Sequence, residues 1–491
     1  MSHQDKMSGI VINHQTLKQV VDVLLPATLF RSLHFRAGAT WRPRMLAVAA
    51  LLWGCQDGDT LEGRFRQARN IAAKIFHWFA APGNTYEGFK KVLKVWHQEY
   101  KLLLMEQWHG EMLRIMPAPW TIEGYLILSG DGSRFELPRT RSHEEHYAPS
   151  RKRKKQSRKG RQSKKKSKAK KSHAKRGRRR SATRRPAKQS SKDVDKKTTS
   201  PQMWLTLLWH VGTGLPWDWR SGPSDSSERD HVREMLHKLP ENALLVADAG
   251  FVGYDFWKAI LDANRQFLIR VGGNVKLLRN LGYAREHKHV VYLWPDKAAK
   301  QKQEPLVLRL VVVHNGKEPV YLVTNLPKCR LSDQQAARVY AARWGIELFF
   351  RTFKQTFQRR KLRSRSAENA ELELDWSLLA LWGMLLMGKR ELASSGQDQS
   401  RQSPVHSIRA FHDTIQQYRL RPESREACLW YRLRNALLDD YERHGAKASR
   451  GYPRKKKRQR TVAPTIQQAT KQQKLAAKQL KQREQKIRLA A

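Results

Sequence analysis

Cysteine is nearly absent: three residues in 491, Cys55, Cys329 and Cys428, with no CxxC pair among them. That excludes a disulfide framework and a zinc ribbon, and it fits a reducing compartment. Long apolar runs are missing too. The longest, residues 45–55 and 376–388, fall short of the roughly 20 residues a membrane helix needs. The opening stretch, MSHQDKMSGIVINHQ, lacks the charged-then-apolar pattern of a secretory signal. Acid is the third scarcity, with 44 Asp+Glu against 95 Lys+Arg and a net charge of +51 at pH 7. A soluble, intracellular protein is expected. At about 100–200 residues per domain the chain divides into two to three units.

So large an excess of positive charge calls for a polyanion, and nucleic acid is the default. Its placement is uneven. Residues 151–197 carry 25 Lys/Arg and 2 acids, residues 443–491 carry 16 and 1, and the remaining 395 residues hold only +13 of the total. The extreme charge therefore belongs to two appendages. The first is almost wholly Lys, Arg, Ser, Ala and Gln and predicts disorder over 150–200. In the second, 443–460 reads as disordered, while 465–489 has few helix breakers and predicts a basic helix.

The body changes character near residue 118. Before it, apolar residues three and four apart predict helices at 17–36, interrupted by Pro26, and at 86–116, with a buried helix at 45–53. After it come short apolar runs. YLILSGD (125–131) reads as a buried strand stopped by Gly130, and 203–211 and 215–220 read as a strand pair. A helix is expected at 227–239, then the strand of ALLVADAGF (243–251), a helix at 254–263 and a strand at 266–271. Strand signals alone fill 275–326, with Asn315-Gly316 as a hairpin turn, before helices return at 332–357 and 367–387. The order predicts an α/β domain whose mixed sheet is interrupted before its last helices.

Two acids end apolar strands, Asp131 in SGDGS and Asp248 in ADAGF. Two carboxylates brought together at strand ends suit a hard divalent cation, although each alone is equally a solvated turn acid. In 339–357, Tyr340, Arg343, Glu347, Arg351 and Lys354 are spaced 3, 4, 4 and 3 apart and share one helical stripe, with Ile346, Leu348, Phe349 and Phe353 opposite. Such a stripe is also what an exposed face laced with i,i+4 ion pairs looks like. Combined with the two aspartates, however, Glu347 completes a three-acid cage for one or two Mg2+, and Arg343 and Lys354 supply the cations that hold phosphates. His143-Glu144-Glu145-His146 lacks the HExxH spacing of a zinc site.

On these residues the chain resembles the DDE transposases of bacterial insertion sequences, in the group with the Tyr-x2-Arg-x3-Glu-x6-Lys (YREK) signature. Tyr340, Arg343, Glu347 and Lys354 match its four positions, and Asp131 in DGS and Asp248 in DAGF match the first and second aspartates. The basic tract after the first of these strands departs from the pattern; it occupies a strand connection, where insertions are tolerated.

The resemblance implies an RNase H-like catalytic domain over 119–390, holding the disordered basic insertion at 150–200 and a β-rich insert at 272–328. A helical N-terminal DNA-binding region (1–118) precedes it; a helical C-terminal region (391–442) and a basic tail (443–491) follow. It implies Asp131, Asp248 and Glu347 as catalytic and metal residues for two Mg2+, with Mn2+ able to substitute, and Tyr340, Arg343 and Lys354 as DNA-binding residues. The activity implied is cut-and-paste transposition: cleavage at transposon ends and strand transfer into target DNA. The partners implied are double-stranded DNA and a second copy on paired ends, in the bacterial cytoplasm at the nucleoid. Two alternatives use the same residues: a domesticated or inactive relative acting as a metal-dependent nuclease, and a non-enzymatic DNA-binding protein. Trp294 in the insert is placed for base stacking, or is one of 16 Trp serving the core.

Overall fold

The computed structural model describes residues 17–36, 38–79, 81–147, 201–314, 318–422, 424, 429–434, 438 and 462–490. The expected disordered segments 150–200 and 443–460 and the Asn315-Gly316 turn lie outside these residues. The core of the architecture is one ten-stranded mixed sheet: β1 (Leu126–Glu136), β2 (Gln202–His210), β3 (Leu215–Gly222), β4 (Ala243–Ala247), β5 (Gln266–Val271), β6 (Lys276–Arg279), β7 (Val290–Leu293), β8 (Leu306–His314), β9 (Pro319–Thr324) and β10 (Thr465–Gln468). Their spatial order is β10-β6-β7-β8-β9-β5-β4-β1-β2-β3. β1, β2 and β3 form an antiparallel meander, β4 and β5 run parallel to β1, and β5 meets β9 antiparallel. The β-rich insert is thus continuous with the main sheet.

Near-continuous apolar runs mark the central strands because both sheet faces are covered. Side chains alternate between two cores: Ile127 and Phe135 of β1 with Leu244 and Val246 of β4 on one face, Leu126 and Leu128 with Ala243, Leu245 and Ala247 on the other. The first face is covered by α1 (Leu17–Leu24), α2 (Pro43–Cys55), α3 (Leu61–Ile75), α4 (Tyr86–Ile115) and later helices; the second by α5 (Glu228–Met235) and α6 (Tyr254–Asp262). Local signals start these helices: Pro43 at the head of α2, Thr85 capping α4 through Gly88 N, and Ser227 capping α5 through Asp230 N.

After the insert come α7 (Asp333–Ala342), opened by a capping box of Ser332 and Gln335, α8 (Gly345–Arg351), a π-helical turn at Thr352–Thr356, then α9 (Ala367–Ser394) and α10 (Pro404–Leu420). The expected continuous helix over 332–357 is broken at Arg343-Trp344. Gly345 lies against the Trp209 ring, so closely that a Cβ there would enter the indole, and the chain bends to make that approach. The bend also changes the faces. Leu348, expected in the core, is 41% exposed, and Phe350 turns inward beside Ile346, Phe349 and Phe353.

Of the helix expected over 465–489 only the part from Lys471 is helical, as α11 (Lys471–Ala490); residues 465–468 instead form a strand, because they pair with β6. β10 adds to β6 in parallel, Thr465 to Lys276 through Gln468 to Arg279, and Ala477 packs into the second core. Among the described residues no helix is long and apolar enough to cross a membrane.

Candidate active site

Asp131 is not at a strand end, as Gly130 had suggested. β1 continues to Glu136 because its antiparallel ladder with β2 runs through to Glu136 and Gln202. What ends at Gly130 is the parallel ladder to β4, whose last pair is Gly130 with Ala247. Asp131 is therefore the first residue of β1 beyond β4, and Asp248 is the first residue after β4. The two acids stand side by side where adjacent parallel strands part, the position at which α/β sheets expose side chains.

Backbone amides fix both. Asp131 Oδ1 accepts from Gly132 N at 2.8 Å, and Asp248 Oδ1 accepts from Gly250 N at 2.8 Å, capping the turn Ala249–Phe251. Glu347, in the first turn of α8, accepts from Arg343 Nη2 at 2.9 Å. Arg343 is buried, and its Nε has no hydrogen-bond partner. Its guanidinium also lies 5.8 Å from the centre of the Tyr340 ring. The π-helical turn carries Lys354, whose Nζ donates to Ser133 Oγ at 2.7 Å, two residues beyond Asp131. Arg351, on the same predicted stripe, points to solvent.

The electrostatics bind these groups into one site. Burial, with the neighbouring charges of Asp248 and Glu347, lifts the Asp131 carboxyl to about 6, against the opposing pull of the Gly132 amide and Arg343. Burial likewise raises the Tyr340 phenol, with Arg343 and Arg270 opposing it. Burial, reinforced by Arg360, lowers Lys354.

A fourth carboxylate escapes the sequence pattern. Burial, then the charges of Asp131 and Asp248, lift Glu228 to about 7. An acid in the first turn of a helix is what the helix dipole ordinarily favours, so in sequence Glu228 is indistinguishable from many others.

The donor set is all carboxylate oxygen, which suits a hard divalent cation, and the raising of Asp131 and Glu228 by their acidic neighbours is what a bound cation relieves. As the side chains stand, no three His, Cys, Asp or Glu are assembled at metal-holding spacing among the described residues. Glu347 instead pairs with Arg343. The remaining sequence candidates are occupied structurally. His143 Nδ1 meets Pro138 O at 2.8 Å, Glu144 and Glu145 pair with Arg139 and Arg141, and buried Trp294 donates to Gln303 O at 2.8 Å.

The Transposase DDE domain family matches residues 124–382. Among curated proteins the chain is similar to "Transposase InsG for insertion sequence element IS4" of Escherichia coli K12, 28% identical over 174 residues that cover 34% of this chain and 38% of that one. It is also similar to a "Putative transposase for insertion sequence element IS4SA" of a Synechocystis strain, 26% identical over 185 residues that cover 33% of this chain and 50% of that one. The chain thus matches half or less of the length of these relatives. Among solved structures, a piggyBac transposase synaptic complex with hairpin DNA aligns over 87% of this chain and 86% of that one, at 11% identity and a TM-score of 0.36.

Proposed function

The chain belongs to the transposase DDE domain family, and from that premise we propose that it is a DNA transposase of the YREK group. It cleaves the phosphodiester at transposon ends and joins the freed 3′-hydroxyl to target DNA by a cut-and-paste route. The observation that carries this is the adjacency of Asp131 and Asp248 where β1 and β4 part, with Glu347 close enough to act on the Asp131 charge.

Asp131, Asp248 and Glu347 are the catalytic and metal-holding residues. These carboxylates would hold two Mg2+, or Mn2+ in their place, which would supply activation of the attacking water and stabilisation of the leaving 3′-oxygen. The protein's own part is positional and electrostatic. Arg343 and Lys354 place two cations beside the acids, which neutralise phosphates that carboxylates alone would repel. Tyr340, packed on Arg343, offers its hydroxyl to a phosphate oxygen.

The order β3-β2-β1-β4-β5, with α5 between β3 and β4 and α6 between β4 and β5, supports an RNase H-like catalytic fold. Helices α1–α4 form the DNA-end-recognition region, and the enzyme works as a dimer on paired ends. The test is Asp131→Asn assayed on duplexes carrying the repeats that flank the gene. Loss of cleavage with retained end binding is expected; cleavage at the wild-type rate overturns the assignment.

A further inference from the structure

Among the described residues three Trp or Phe side chains are exposed, and two of them, Trp78 at 49% and Phe79 at 37%, are neighbours in one turn. The turn follows α3. Phe79 N donates to Phe76 O at 2.9 Å, which closes residues 76–79 into a single reversal. Phe76 is buried and anchors it, while His77, Trp78 and Phe79 are exposed. Turns ordinarily carry small polar residues. Two large rings left in water there mark a surface that a partner covers.

The surrounding charge identifies the partner. Lys18 Nζ lies 4.6 Å from the centre of the Trp78 ring, and the guanidinium of Arg42 lies 4.2 Å from that of Phe79. Each exposed ring thus has a cation over one face. The two stretches that meet here, 17–44 and 74–91, hold eight Lys/Arg and two acids. Both acids are already paired, Asp22 with Arg44 and Glu87 with Lys90. An apolar protein face would satisfy the rings and leave the cations bare, whereas an anionic strand whose bases can stack satisfies both. In a paired duplex the faces of the bases are covered by their neighbours, so stacking on a ring calls for unpaired ones.

We propose that Trp78 and Phe79 stack on unpaired bases of a DNA strand whose phosphates run past Lys18 and Arg42. The inference rests on the proposed function, in which α1–α4 face DNA. It adds a contact made by rings rather than charge, on elements other than those that carry Asp131, Asp248 and Glu347.

The full-length protein is irradiated with single-stranded oligothymidylate in which one thymine is replaced by iodouracil, and the crosslinked peptide is identified by mass spectrometry. The crosslink is expected at Trp78 or Phe79. Fluorescence anisotropy at high salt, where the basic segments hold phosphates weakly, should show Trp78→Ala binding the same strand about tenfold more weakly, with Trp78→Phe close to the wild type. The slope of log affinity against log salt should hold in Trp78→Ala and shrink in Lys18→Gln. Crosslinks confined to other segments, or wild-type affinity in Trp78→Ala, overturn the stacking role; with end cleavage intact they leave the proposed function standing. Binding to anionic phosphatidylglycerol vesicles that is lost in Trp78→Ala, with oligothymidylate binding unchanged, overturns it in favour of a lipid surface. A wild type that neither binds nor cleaves DNA overturns the proposed function and this inference together.

Discussion

Arg343 Nη2 donates to Glu347 Oε1 at 2.9 Å across one helical turn, even though the helix is broken between them. The acid of the signature is thus held by its arginine. The same guanidinium acts on the charges of Asp131 and Tyr340. Arg343→Gln frees Glu347 and removes the cation proposed to hold a phosphate. Cleavage is expected to fall on the order of a hundredfold, while Mn2+ affinity holds or tightens. Parallel single-turnover cleavage and Mn2+ titrations check this; a matched loss of metal binding would show that Arg343 only positions the acid.

Lys354 reaches β1 through Ser133. Lys354→Ala is expected to lower cleavage on the order of a hundredfold with little change in thermal stability. Ser133→Ala, which removes only the anchor, should cost about tenfold or less by the same reasoning. Equal losses in the two variants would assign the effect to the hydroxyl. Single-turnover rates on one end duplex make the comparison.

Asp375 lies buried beneath β3 and accepts from Trp219 Nε1 at 2.7 Å, Lys101 Nζ at 2.9 Å and His97 Nε2 at 3.0 Å. Burial alone would raise its pKa, yet Lys101, His97 and Trp219 more than offset it and hold the carboxyl below the usual range. The native state thus binds fewer protons at Asp375 than the unfolded chain. Its contribution is complete above the ordinary aspartate value of about 4 and is lost as pH falls through the lower native value. Asp375→Ala leaves Lys101 buried without its partner and should cost about 3–5 kcal/mol. Urea midpoints from pH 3 to 7 should fall on the acid side for the wild type and stay flatter for Asp375→Asn.

Lys471, Lys474, Lys478 and Lys481 form an exposed stripe on α11, with Gln473, Ala476, Ala477 and Leu480 as the docked face. Replacing the four lysines by Gln should weaken binding to unrelated duplex DNA. The slope of log affinity against log salt should shrink by roughly 0.9 for each phosphate that is no longer neutralised. Fluorescence anisotropy across a salt series measures this, and an unchanged slope means that the stripe does not face DNA.

Much of the sheet was legible in sequence because apolar runs buried on both faces leave a plain signal; β5 appears at the 266–271 expected. Three features were not, each for a long-range reason. Gly130 looks like a terminator, yet the partner β2 carries β1 six residues past it. The break at Arg343-Trp344 depends on Trp209, which lies far away in the chain, and it exchanges Leu348 for Phe350 in the core. β10 is TIQQ with all four residues exposed, so only pairing with β6 makes it a strand. At the candidate site, residue type and spacing single out the two aspartates, which the fold sets side by side, and Tyr340, Arg343, Glu347 and Lys354, whose roles are those proposed above. Glu228 was not legible, since what distinguishes it is its burial beside Asp131 and Asp248, which stand on other elements.

The pairing of β6 with β10 also has a temporal side. Chains emerge from the ribosome N-terminus first, so β6 is made long before the strand that covers it. Until residues 465–468 appear, its outer row of amides and carbonyls is bare, a template for any other extended chain. A nascent or proteolysed product cut short of β10 therefore carries a sticky flank that the longer chain hides, and sealing that flank waits on a segment made long after β6.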